Sequence, residues 1–86
     1  MGWVGLTQDD KLIRTMRDNP KDWKIGDVER ACRLFGINCS APSRGSHYKL
    51  QHPKIRGILT VPARKPIKPI YIKLLLEMID SLENMA

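Results

Sequence analysis

Hydrophobic and polar positions along this chain change period twice, and the changes divide it into segments. Leu12, Ile13 and Met16 form a short apolar stripe at helical spacing before Asn19-Pro20 stops it. Thr7 with Asp10 three positions on resembles a capping box, so the spacing predicts a first short helix over roughly residues 8–18. Val28, Ala31, Cys32 and Phe35 recur at i, i+3, i+4 and i+7, the spacing of one buried helical face. Gly36 then supplies a residue suited to a left-handed cap.

From Ile37 the period becomes two. Ile37, Cys39 and Ala41 alternate with polar neighbours, and 42–45 reads as a loop. Between Ser46 and His52, Tyr48 and Leu50 fall on one face and His47, Lys49 and Gln51 on the other. The segment 53–57 is a turn, and Ile58-Leu59-Thr60-Val61 is a β-branched run closed by Pro62. Pro62, Pro66 and Pro69 stiffen a basic connector, with Pro69 placed for the first turn of a last helix, where its missing N–H costs nothing. Tyr71, Leu74, Leu75, Met78, Ile79 and Leu82 give that helix a wide apolar stripe. The expected fold class is therefore α+β: a three-stranded antiparallel sheet with helices packed on one face. Its order, α-β-β-β-α with an extra short N-terminal helix, is that of the double-stranded-RNA-binding domain.

Size and composition bound this picture. Eighty-six residues suit one domain with a modest core, which excludes large cofactor domains. The longest apolar run, Ile70 to Met78, is interrupted by Lys73 and Glu77 and is too short to span a bilayer. Met1-Gly-Trp-Val-Gly-Leu lacks the basic and apolar regions of a secretory signal, so the expectation is a cytoplasmic protein without a membrane partner. Cys32 and Cys39 match no zinc-ligand spacing; both are expected as thiols, with Cys32 in the core.

Charge changes the picture most. The net charge is +6, and no Asp or Glu occurs between Glu29 and Glu77. Arg30, Arg33, Arg44, Lys49, Lys54, Arg56, Arg64, Lys65, Lys68 and Lys73 fall inside that acid-free span, the footprint of a polyanion partner. Arg44, Lys49, Arg64, Lys65 and Lys68 are the expected phosphate contacts, because they cluster around the His-bearing strand and the connector. Trp3, Trp23, Tyr48 and Tyr71 could serve as base-stacking platforms, but Tyr48 and Tyr71 fall on apolar faces and read as core. Trp3 is the aromatic expected to be exposed.

Gly45-Ser46-His47 stands at the head of the second strand. Cleaving RNA requires a base for a 2′-hydroxyl or water, an acid for the leaving 5′-oxygen, and cations for the phosphorane-like transition state. An imidazole can serve either proton-transfer role, and neighbouring cations favour its neutral, basic form. His47 is thus the candidate catalytic residue, with Gly45 permitting close approach of backbone to phosphate and Ser46 supplying a hydroxyl or amide donor. His52, five residues on, falls on the opposite face or in the turn and reads as structural or as a phosphate contact. Two histidines with no carboxylate nearby leave too few ligands for a metal site, so neither metal nor other cofactor is expected.

Gly45-Ser46-His47-Tyr48, His52-Pro53, Leu59-Thr60-Val61-Pro62 and the Lys-Pro-Ile-Lys-Pro stretch ahead of the last helix follow one another in a pattern that resembles the HicA family of toxin endoribonucleases. The resemblance spans roughly residues 26–83 and leaves 1–23 as an N-terminal extension. It implies an mRNA interferase of a toxin–antitoxin pair, metal-independent, acting on mRNA and neutralised by a HicB-type antitoxin that covers the active site. It carries His47 across as the catalytic residue, with Gly45 and Ser46 as motif partners. Two other readings stand beside it: a non-catalytic RNA-binding module of the same fold, and a chain that functions mainly within an antitoxin complex.

Overall fold

A computed structural model describes residues 8–85. The elements run α1 (Gln8–Asp18), α2 (Ile25–Leu34), β1 (Asn38–Ser40), β2 (His47–Gln51), β3 (Leu59–Pro62) and α3 (Pro69–Asn84). The strands form one antiparallel sheet in the order β1-β2-β3. Cys39 pairs with Leu50 across β1 and β2; His47 pairs with Pro62 and Lys49 with Thr60 across β2 and β3. The period-two pattern fixes which face is buried. Leu50 and Val61 are buried, whereas His47, Lys49, Gln51 and Thr60 are exposed. Among the described residues the class is α+β with three helices, none of them long and apolar enough to cross a membrane.

Helix ends follow local chemistry. Gly36 has φ +66°, and the Ile37 N–H donates to the Cys32 carbonyl at 2.9 Å, the bond that closes a helix whose last turn is followed by a left-handed residue. Buried Ile37 covers that closure and starts the run into β1. At the other end of α2, the Asp27 carboxylate accepts from the Lys24 N–H at 3.0 Å. Pro69 occupies the first position of α3, as its spacing predicts. Pro62 ends β3 at the rim of the sheet, where a strand tolerates a residue with no N–H.

One apolar cluster joins all the elements. Val28, Ala31 and Cys32 of α2 are buried, with Phe35 partly so. Burial pushes the Cys32 thiol up to about 12, and the neighbouring Cys39 thiol adds to the effect; both cysteines are free. Two features exceed the expectation. The extension beyond the HicA-like pattern is part of this core, because Leu12, Ile13 and Met16 of α1 are buried, Met16 completely. A side chain of that size contributes roughly 1.5–3 kcal/mol when buried. The buried stripe of α3 also includes Ile72 and Leu76, beyond Leu75, Met78 and Ile79. α3 packs against β3 on one side and α1 on another, so a single-sided periodicity understates it. Thr7, expected to cap α1, and Trp3 lie outside the described residues.

The link between α1 and α2 does further work. Trp23 donates its indole Nε1–H to the Asn19 carbonyl at 2.6 Å, and its own carbonyl accepts from the Ile67 N–H at 2.7 Å. Ile67 is fully buried. The connector between β3 and α3 is thereby fastened to the N-terminal segment.

Candidate nucleic-acid interface

The site is assembled where β2 begins and α3 begins. Gly45 has φ +78°, and a Cβ built there meets nothing within 4 Å. Its requirement is therefore conformational: the left-handed backbone turns the chain from the 42–45 loop into β2. The next carbonyl, that of Ser46, accepts from the Ala63 N–H at 2.7 Å, which extends the β2–β3 pairing by one step past His47 and Pro62. Arg64 follows immediately. With Ile67 tied to Trp23, both ends of the connector 63–67 are held by backbone hydrogen bonds, and its cations are delivered beside His47.

Ser46, His47, Pro62, Arg64, Lys68 and Tyr71 line one cleft of about 170 Å³. That is below the ~300 Å³ at which small-molecule pockets usually begin. A second depression, which shares His47, is lined by Ser43, Arg44, His47 and Lys49 among others. His47 is exposed and lines both.

Three observations make the electrostatics one-sided. Arg44, Lys49, Arg64, Lys65 and Lys68 make no ion pair or side-chain hydrogen bond among the described residues. Lys68 is the N-cap of α3, and the first turn of that helix holds no acidic residue. A helix start carries partial positive charge and unpaired N–H groups, so here it adds to the cations rather than offsetting them. The acid-free span of the sequence supplies no carboxylate to the His47 strand or the connector. An anionic group entering this cleft meets no like charge.

Of the residues singled out from sequence, the structure brings Ser46, His47, Arg64 and Lys68 together in one cleft and Arg44 and Lys49 into the adjoining one. Lys65 is exposed and lines neither. Gly45 shapes the approach without touching a neighbour. His52 lies in the turn after β2: its Nδ1 accepts from the Lys54 N–H at 3.0 Å and its carbonyl accepts from the Ile55 N–H at 3.0 Å. That ring organises a turn and is not beside His47. Among the described residues, no three His, Cys, Asp or Glu side chains are grouped so as to hold a metal ion.

Sequence reading weighed Tyr71 as a base-stacking platform, favoured core packing, and did not place it beside His47. Tyr71 packs against the core, as its apolar position predicts, and also lines the cleft. The available signal was its place two residues after Pro69, in the first turn of a helix whose N-cap is a connector lysine. No family model, curated protein or solved structure matches this chain.

Proposed function

We propose that this chain is a metal-independent endoribonuclease, the toxin of a HicA-type toxin–antitoxin pair, with a fold like that of the double-stranded-RNA-binding domain. The observation that carries the reading is an exposed imidazole lining a cleft whose cations have no ion-pair partner among the described residues. His47 withdraws the proton from a 2′-hydroxyl or from water as attack on phosphorus begins. Arg64 and Lys68, with the N–H groups of the α3 start, stabilise the charge that grows on the phosphoryl oxygens. Arg44 and Lys49 hold the neighbouring phosphate beside the imidazole. Once protonated, His47 is available to return its proton to the leaving 5′-oxygen, so one imidazole serves both transfers in sequence.

The natural substrate on this reading is mRNA in the cytoplasm. The natural inhibitor is a HicB-type antitoxin that covers His47 and offsets the surrounding positive charge. The same surface supports a second reading, a non-catalytic RNA-binding module. What favours it is that, among the described residues, no carboxylate or second imidazole lines either depression with His47.

The two separate in one experiment. The purified chain is incubated with a defined RNA and the matching DNA in excess chelator, and products are resolved on a gel. Cleavage of RNA alone, undiminished by chelator, is expected. Intact RNA that nonetheless binds with steep salt dependence contradicts catalysis and hands the site to the binding module.

A further inference from the structure

We infer that Tyr71 is the platform on which an unpaired nucleobase of the bound RNA stacks. The inference rests on the RNA reading above and adds to it the residue that reads the strand as single. Tyr71 is the aromatic side chain of the His47 cleft; Tyr48, one residue from His47 on a strand, is carried to the opposite sheet face, and the Trp23 indole is bonded to Asn19. Tyr71 is half-buried: it packs against the core and also lines the cleft. Its backbone is set in the first turn of α3, two residues after Pro69, with its N–H donating to the Lys68 carbonyl at 3.0 Å. A ring fixed in this way loses little freedom on stacking. Its hydroxyl has no hydrogen-bond partner among the described residues, so no internal polar role competes for it.

Geometry around the ring supplies the rest. Arg64 and Lys68 share the cleft with it, and Arg44 and Lys49 lie in the second depression. A strand whose phosphates engage both cation pairs passes by His47, which lines both depressions, and brings a base within reach of the Tyr71 phenol ring. A base held in a duplex stack cannot turn into a half-buried ring in a concave site, whereas a single strand can splay one out.

The test measures binding of the full chain to a 2′-O-methyl RNA, shown by gel to stay intact through the assay, as a single strand and as the duplex of that strand, across a salt series. Tyr71→Leu is expected to weaken single-strand binding roughly tenfold, the scale of one lost stack. Its salt slope stays unchanged because no phosphate contact is lost, its duplex affinity stays within about twofold, and Tyr71→Phe matches the unmodified chain, since stacking is a property of the ring. Tyr71→Met provides a second truncation should Tyr71→Leu fail to fold. Unchanged single-strand affinity in the truncations overturns the platform, as does an equal loss for strand and duplex. A Tyr71→Phe loss as large as that of Tyr71→Leu also overturns it, by assigning the effect to the hydroxyl. Failure of the unmodified chain to bind any RNA overturns the parent reading and this inference with it, and is told apart by that control.

Discussion

The two ends of α3 face the same electrostatic problem and meet it differently. At the C-terminal end stand Asp80 and Glu83, acids where the helix dipole already concentrates negative charge. Arg17 of α1 answers both: its guanidinium donates to the Asp80 carboxylate and lies 3.3 Å from a Glu83 oxygen. The guanidinium holds the Asp80 carboxyl below the usual carboxylate range. At the N-terminal end stands Lys68, a cation where the dipole is already positive, with Arg64 in the same cleft. Nothing among the described residues answers these. The difference teaches that unfavourable charge is compensated where it serves only the fold and left open beside His47. An uncompensated end is one that an external anion would complete.

The largest effect that would break this comparison comes from correcting the open end. Lys68→Asp places an acceptor at the N-cap and a negative charge at the helix start. It is expected to stabilise the fold by about 1 kcal/mol. The same change should weaken RNA binding about tenfold near 0.1 M salt and lower the salt slope by about 1. Thermal melts and binding isotherms on one preparation read both. A variant that is less stable, or that binds RNA as before, would show that the open end is not held for a ligand.

A smaller effect is expected at the answered end. Arg17→Ala should cost about 0.5 kcal/mol, because the pair is largely solvated, and should leave RNA affinity and its salt slope unchanged. The pH sign follows from Asp80. Its folded carboxyl is depressed, so the pair's contribution is present above the ordinary carboxylate range and is lost as pH falls through the lower, folded value. The difference in stability between the unmodified chain and Arg17→Ala should therefore narrow as pH drops below about 4. A gap that widens in acid would remove Asp80 from the account.

Much of this architecture is legible in the sequence, for reasons visible in single residues. Strand alternation puts Leu50 inward and His47, Lys49 and Gln51 outward, and a period of two admits only one such assignment. Gly36 and Pro69 mark helix ends because left-handed backbone and a missing N–H have few other places to go. What stays hidden depends on contacts between distant segments. Ile72 and Leu76 are buried because α1 covers a side of α3 that the sheet does not. The bond from Ile67 to Trp23 joins positions far apart in sequence, and no local periodicity encodes it. For the site, the Gly-Ser-His motif and the acid-free span point to His47 and its cations. Lys65 is exposed beside them but lines neither of the two depressions that share His47, a distinction that charge clustering along the sequence does not make. Tyr71 was weighed as a stacking platform and read as core, because a periodic stripe does not reveal a side chain that packs inward and lines a cleft as well.

The most direct test of the central claim is the rate of RNA cleavage by His47→Ala beside the unmodified chain, in chelator, after matched melting curves show both folded. His47 is exposed, so the substitution should leave stability within about 0.5 kcal/mol. The account predicts that the unmodified chain cuts RNA, that His47→Ala cuts at least about a hundredfold more slowly, and that RNA affinity persists through Arg44, Lys49, Arg64 and Lys68. A folded His47→Ala chain that cleaves at the unmodified rate would contradict it.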